Sequence, residues 1–285
     1  MRKSITICLL LLPATLIQLW IMFTGIFSSI EQSLGYIPTA GLTEISRDYY
    51  RELLADPTFW RSLLFSLYTA LFSSGLSVGL GLGLAGLMAA NFPARFSAQQ
   101  WFKLPIIVPH LVAVFLIMVT LGNAGLVDRL LHFAWGPGVR LPNLTMDPWG
   151  LGIILTYIWK SAPYAAFILY TFLRNTDPRL IATARNLGAS PWRAFWHVLV
   201  PLLKPALGGC FILIFAYNFT AFEVPFLIGP TYPKALPVLA YTYFLNPDSE
   251  ARAYAMAINS LLLLFSLFPI WFFQRCWQNE SKEGS

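Results

Sequence analysis

Residues 62–90 read SLLFSLYTALFSSGLSVGLGLGLAGLMAA and contain no charged side chain. About 20 apolar residues in a helix cross the hydrocarbon core of a bilayer, so this stretch is long enough to span a membrane. Five further apolar runs accompany it, at about 5–28, 104–122, 149–172, 203–228 and 253–273. The pattern predicts an all-α, polytopic membrane protein with six transmembrane helices.

The composition of the 285 residues also indicates a membrane protein. Charged residues make up 11% and apolar residues 57%, whereas about 25% of the residues of a soluble domain are charged. So few charges cannot cover a soluble protein of this size, and so many apolar residues exclude a disordered chain. The first apolar run follows Arg2 and Lys3 like a signal peptide. It is too long for one and lacks a clear cleavage site, so we interpret it as an uncleaved transmembrane helix.

The distribution of Lys and Arg predicts the orientation. Six spans place both termini on one side of the membrane. The termini and the loops after spans two and four carry eleven basic residues, against seven in the other three loops. Because cytoplasmic loops are enriched in Lys and Arg, we predict that both termini are cytoplasmic. No loop is long enough for an independent domain, so residues 1–285 are expected to form a single transmembrane domain.

Two motifs inside residues 62–90 match enzyme signatures. Residues 81–86 match G-x-G-x-x-G, but no strand precedes them, so a dinucleotide site is not expected. Three glycines four residues apart predict close helix packing instead: Gly75, Gly79 and Gly83. Residues 75–79 match the G-x-S-x-G nucleophile motif, and a membrane-embedded serine hydrolase that pairs Ser77 with His110 remains an alternative. The few Cys and His residues lack metal-ligand spacing, so no metal site is predicted.

Residues 177–201, between spans four and five, carry helix start and stop signals. Asp177-Pro178 predicts an N-cap followed by proline in the first turn, and Gly188 predicts the end of that helix. Ser190-Pro191 repeats the start signal. The segment is therefore predicted to form a helix-turn-helix at the cytoplasmic surface.

The predicted hairpin combines apolar and basic residues. One apolar face is expected from Leu180, Ile181, Ala184 and Leu187, and the basic residues are Arg179, Arg185 and Arg193. Such an element suits the docking of a partner protein. It equally suits an amphipathic segment that rests on membrane lipid, and the spacing leaves both readings open.

The predicted hairpin contains Ala182-Thr183-Ala184-Arg185-Asn186-Leu187-Gly188, followed after nine residues by Val198-Leu199-Val200-Pro201. This pattern resembles the EAA loop of binding-protein-dependent ABC importer permeases, the methionine-importer-like family. The family pattern is E-A-A-x-x-x-G-x(9)-I-x-L-P. Gly188 and Pro201 have the family's separation, and Ala184 matches the second alanine. Ala182 stands where the family has glutamate and Thr183 where it has the first alanine. The likeness covers about residues 60–275.

The resemblance implies that residues 176–201 form the coupling loop that binds the ATPase. Its implied contact residues are Arg179, Ala182, Ala184, Arg185 and Gly188. The implied partners are two ATP-binding subunits that hold ATP and Mg, a second permease subunit of the same or a different sequence, and an extracytoplasmic solute-binding protein. No cofactor is expected in this chain, no catalytic residue and no nucleic acid partner. The missing glutamate is compatible with a second permease chain that keeps it.

The implied function is import of a small polar solute across the bacterial inner membrane by alternating access. An ATP-independent channel or secondary transporter is the alternative from another class.

Four polar residues in spans four and five are candidates for the solute pathway: Lys160, Asn218, Thr220 and Glu223. An ionisable residue at such depth costs about 2.5–3.5 kcal/mol on insertion scales, so it needs a partner or water. Lys160 and Glu223 therefore either neutralise each other or line a pathway. The other two either contact a polar solute or bond across helices. Lys160 suits an anionic solute and Glu223 a cationic one.

Overall fold

A computed structural model describes residues 2–91, 104–136 and 143–283. Within these ranges the chain forms helices and one isolated β-bridge, with no longer strand. The helices are α1 (Arg2–Ser33), α2 (Asp48–Ala55), α3 (Pro57–Asn91), α4 (His110–Leu121), α5 (Leu126–Trp135), α6 (Leu151–Asn175), α7 (Pro178–Asn186), α8 (Pro191–Ala194), α9 (Val200–Thr220), α10 (Glu223–Ile228), α11 (Leu236–Phe244) and α12 (Ser249–Glu283).

Six helical segments are long and apolar enough to cross a membrane. They are Leu10–Ser33, Pro57–Ala89, His110–Trp135, Leu151–Asn175, Pro191–Thr220 and Ser249–Arg275. The predicted all-α fold with six spans is therefore confirmed.

The fifth span differs from its predicted bounds. It begins at Pro191 and ends at Thr220, whereas the sequence predicted 203–228. A proline ring clashes with the carbonyl four residues before it, and Pro225 would meet Ala221 in a continuous helix. The backbone of Ala221 is accordingly extended, with φ −66° and ψ 132°, and α10 begins at Glu223. Glu223 thus lies beyond the span and not in its outer half.

The chain divides into two compact units. The first comprises residues 1–60 and 236–264, and the second comprises residues 61–235 and 265–285. In the first unit, Tyr50 donates a hydrogen bond to Ser33 Oγ at 2.7 Å, and Tyr254 donates one to Glu52. These bonds tie α2 to the end of α1 and the beginning of α12. Burial, with Glu250 and Glu52 nearby, raises the pKa of Tyr49 above its usual value.

The second unit contains a core formed by α3, α6 and α9. Its buried members are Val78, Leu82, Ala85, Ala165, Leu169, Leu173, Leu199, Leu203, Ala206, Cys210 and Ile214. A Cβ added to Gly81 would lie 2.6 Å from Ala165 Cβ and 2.9 Å from Ala166 N. Only glycine permits α3 and α6 to approach so closely. The core therefore fixes α6 through a contact between two backbones.

The predicted packing role of Gly75, Gly79 and Gly83 is wrong for the described part of the chain. A Cβ at any of these three positions would meet no atom within 4 Å. The periodicity correctly identified a face of small residues, but Gly81 on another face of the same helix makes the close contact.

Candidate functional site

Side-chain caps begin both helices of the hairpin formed by residues 177–199. The Asp177 carboxylate accepts a hydrogen bond from Arg179 N at 2.9 Å, and the Ser190 hydroxyl accepts one from Arg193 N at 3.3 Å. Proline follows each cap in the first turn, where its missing N–H is not needed. The predicted helix-turn-helix is confirmed.

Gly188 ends the first hairpin helix with two backbone hydrogen bonds. Its φ is +88°, a value that side chains disfavour. Gly188 N donates to Arg185 O at 3.0 Å, and Ala189 N donates to Ala184 O at 3.0 Å. This is the Schellman arrangement, which satisfies the last carbonyls of a helix. The turn is therefore fixed by local backbone geometry.

The hairpin is attached to the core of the second unit. Ile181 on α7 packs against the buried cluster, and so does Phe195. A Cβ on Gly86 of α3 would lie 3.0 Å from the Phe195 ring. Residues Phe195–Leu199 form a π-turn that joins α8 to α9 without interruption, so Pro191–Thr220 is one continuous helix.

The hairpin exposes both apolar and basic side chains. Leu187 is 84% exposed and Trp192 is 70% exposed. The other exposed residues of the predicted contact set and its basic residues are Arg179, Ala182, Arg185, Gly188 and Arg193, while Ala184 is half-buried. The predicted single apolar face is therefore divided, because Ile181 packs inward and Leu187 points away from the core.

A cavity of about 330 Å³ lies among α4, α6 and α9. It is lined by Ile106, His110, Lys160, Ser161, Tyr164, Leu213, Ile214 and Tyr217. The predicted residue Lys160 is 9% exposed, and its ammonium donates a hydrogen bond to the Val108 carbonyl. None of the described residues that line this cavity is acidic.

Four polar lining residues were not among the predicted pathway residues. Tyr164 follows Lys160 by four positions and Ser161 by three, so it shares a helix face with each of them. His110 begins α4, and its ring lies 5.0 Å from the Tyr217 ring. The one available signal was the spacing on α6, because the sequence does not show which helices meet α6.

The other three predicted pathway residues lie elsewhere. Asn218 is 4% exposed and donates to Ser73 Oγ at 2.9 Å and Ser74 Oγ at 3.3 Å, which joins α9 to α3. The Thr220 hydroxyl donates to the Ala216 carbonyl of its own helix at 2.9 Å. Glu223 is exposed, and the described residues show no ion pair between it and Lys160.

The geometry does not support a serine hydrolase. Ser77 is fully buried, and its hydroxyl has no hydrogen-bond partner among the described residues. The His110 ring lies against Tyr217 at the cavity, with no recorded contact to Ser77. A nucleophile needs its base within hydrogen-bond reach. In the part of the chain that the structure describes, no group of His, Cys, Asp and Glu could hold a metal ion.

Comparisons with known proteins agree with one another. A family model described as "Binding-protein-dependent transport system inner membrane component" matches residues 75–275. The molybdenum transport system permease protein ModB of Escherichia coli (strain K12) is 25% identical over 215 residues, which cover 74% of this chain and 90% of that protein. The spermidine/putrescine transport system permease protein PotC homolog of Mycoplasma genitalium is 28% identical over 118 residues, 41% of this chain and 40% of that protein.

A solved structure shows the same fold. A chain of a bacterial ABC transporter involved in the import of the acidic polysaccharide alginate matches with a TM-score of 0.77. The match covers 96% of both chains, at 18% sequence identity. The family match includes the whole hairpin and all the described residues that line the cavity.

Proposed function

The chain belongs to the family of inner membrane components of binding-protein-dependent transport systems, and on this premise we propose a role for its hairpin. The chain is thus a multi-pass permease subunit of an ABC importer. The hairpin at residues 177–199 docks a separate ATP-binding subunit. The exposure of Leu187 and Trp192, on a hairpin that also exposes three arginines, is the observation that carries this proposal. The binding energy of an interface is concentrated in a few desolvated residues, among which Trp and Arg are enriched, and charged residues at the rim direct association.

The rigidity of the hairpin supports docking over a lipid-resting role. Both helices are capped, and the turn is closed by the hydrogen bonds of Gly188 and Ala189. Ile181 and Phe195 anchor the hairpin to the protein core. An amphipathic segment that only rests on lipid needs no such attachment. A docking element does, since it must transmit force without unfolding.

The proposed cycle places ATP hydrolysis, with its Mg ion, on the partner subunit. Two ATP-binding subunits close on ATP and displace the hairpins of two permease chains. Each hairpin continues into α9, which lines the cavity with Leu213, Ile214 and Tyr217. Displacement would then open the cavity alternately to the two sides, with an extracytoplasmic binding protein supplying the solute. Both termini lie on the cytoplasmic side, as the hairpin does.

Ala182 bears on the identity of the second permease chain. It is exposed on α7 and carries no charge where related loops carry glutamate. We propose that the second chain is a different permease that supplies this carboxylate. Homodimers would lack the charge on both sides of the assembly.

The cavity of about 330 Å³ is the proposed place of solute passage, with Lys160 as its charged residue. The other polar residues of the proposed pathway are those that line the cavity: His110, Ser161, Tyr164 and Tyr217. They replace the three predicted residues Asn218, Thr220 and Glu223. The names of the relatives include molybdenum and spermidine/putrescine, so the class of solute must come from the cavity itself.

The test is purification of the tagged chain in mild detergent, with identification of every co-purifying protein. We expect an ATP-binding subunit with the wild type and with Gly188→Asn, because asparagine tolerates positive φ. We expect it to be lost with Gly188→Pro, since proline fixes φ near −65° and removes the N–H that donates to Arg185. Circular dichroism checks that the spans remain helical.

Two outcomes contradict the proposal. One is a folded wild-type chain that purifies alone in several detergents and transports solute without an ATP-binding subunit. The other is a Gly188→Pro chain that still binds that subunit at wild-type levels.

A further inference from the structure

The cavity among α4, α6 and α9 has an unbalanced charge. Lys160 brings an ammonium with three N–H donors, and the Val108 carbonyl accepts a hydrogen bond from it. The described lining residues include no carboxylate. A buried charge is costly unless an opposite charge or water compensates it. A negative charge in the cavity would supply this compensation.

The remaining polar groups of the cavity are all able to donate hydrogen bonds. They are the hydroxyls of Ser161, Tyr164 and Tyr217 and the imidazole of His110. His110 is also the first residue of α4, so the positive dipole end of this 12-residue helix lies beside the cavity. Helix N-termini of this kind favour anions.

We propose that this cavity binds a small anionic solute, with Lys160 as the charge partner and Tyr217 as a hydrogen-bond donor. The inference rests on the proposed function, since it names the class of solute for the same pathway. The volume of about 330 Å³ accommodates a small molecule or a hydrated oxyanion. Glu223 lies outside the residues that line the cavity.

The experiment uses the purified assembly of permease and ATP-binding subunits in phosphatidylcholine nanodiscs. Sodium molybdate and sodium sulfate are the probes, each replacing sodium chloride at constant ionic strength. A ligand that binds the folded state raises the unfolding temperature by mass action, so a titration gives an apparent Kd.

We expect at least one probe to stabilise the wild type. Lys160→Met should raise its Kd about tenfold or more, because a charge-assisted bond is lost. Lys160→Arg should change the Kd less than about threefold. Tyr217→Phe keeps the ring beside His110, loses the hydroxyl and should raise the Kd about threefold. Lys204→Met removes an exposed lysine outside the cavity and should leave the Kd unchanged.

Several results would overturn the anion site. The first two are equal stabilisation of the wild type and Lys160→Met by both probes, and no stabilisation by either probe. The third is stabilisation by spermidine in place of the anions. The fourth is stabilisation that appears only when phosphatidylglycerol is added. The last result would assign the cavity to a lipid headgroup. If no ATP-binding subunit co-purifies, yet the permease alone shows Lys160-dependent anion binding, the proposed function fails and the anion site stands.

Discussion

The hairpin at residues 177–199 and the cavity around Lys160 differ in where their polar groups find hydrogen-bond partners. In the hairpin, caps and turn bonds come from residues within five positions of one another. In the cavity, Lys160 of α6 meets Val108, and Tyr217 of α9 meets His110 of α4. The hairpin satisfies its polar groups internally and exposes an apolar surface, whereas the cavity retains hydrogen-bonding capacity that its own residues do not use.

This difference is the one expected between the two proposed roles, a surface for a lasting protein partner and a site for a passing solute. A protein partner needs a rigid shape and a dry apolar centre. A solute that must leave again needs polar groups whose bonding is incomplete until it arrives. Partner binding should therefore be sensitive to changes of the exposed surface of the hairpin, and solute binding to changes of the polar lining of the cavity.

The largest effect should come from Leu187→Asp. The side chain is 84% exposed, so the fold is not affected, but a buried unpaired charge at a docking surface is severely unfavourable. Co-purification of the ATP-binding subunit and transport should both fall about tenfold or more. Leu187→Met is the control and should retain both. Wild-type transport by the Asp variant would show that Leu187 does not contact the ATP-binding subunit.

Gly81→Val should disrupt the close contact between α3 and α6, the helix that carries Lys160. Its added Cβ would lie 2.6 Å from Ala165 Cβ, and overpacking of this kind costs about 1–3 kcal/mol. The unfolding temperature of the purified chain should fall by several degrees. Gly83→Val, two residues away in open space, should leave it unchanged. Equal loss in both variants would show that helix propensity, and not contact with α6, is the cause.

Asn218→Ala should separate a structural polar residue from a binding one. It removes two hydrogen bonds to Ser73 and Ser74, each about 0.6 kcal/mol in a membrane interior, and thus about 1 kcal/mol of unfolding free energy. Anion affinity should not change. Thr220→Ala is the control, since Thr220 bonds to its own helix. A loss of affinity as large as that of Lys160→Met would place Asn218 in the pathway after all.

The smallest effect should come from Asp177→Ala. Loss of an N-cap costs about 0.5–1 kcal/mol, and the core contact of Ile181 still holds α7 in place. Transport should fall by no more than about half. Asp177→Asn retains a good cap and should behave as wild type. If transport is abolished in the Ala variant while the Asn variant is active, the Asp177 cap determines the conformation of the whole hairpin.

Sequence reasoning succeeded where the determining residues are neighbours. The six spans follow from runs of apolar residues, and the hairpin follows from Asp177, Gly188 and Ser190. The end of the fifth span was missed although Pro225 carries the signal, because hydropathy alone does not register the clash with Ala221. Proline alone does not predict that end, because Pro163 and Pro205 lie inside continuous helices.

The cavity could not be predicted in the same way. Lys160 was found because a charge in an apolar run is conspicuous, but its surroundings come from α4 and α9, about 50 positions away in each direction. The glycines of α3 show the same limit. Their spacing identified a face of small residues, yet which face of the helix meets α6 depends on packing between segments distant in the chain.

The unbroken helix from Pro191 to Thr220 has a mechanical consequence. From Pro191 to Tyr217 its length is about 39 Å at 1.5 Å per residue. A rigid rod of that length, tilted by about 5° at the hairpin end, moves its far end by roughly 3 Å. A displacement of 3 Å at Tyr217 is comparable to the length of a hydrogen bond, so a slight rotation at one end is enough to make or break contacts at the other.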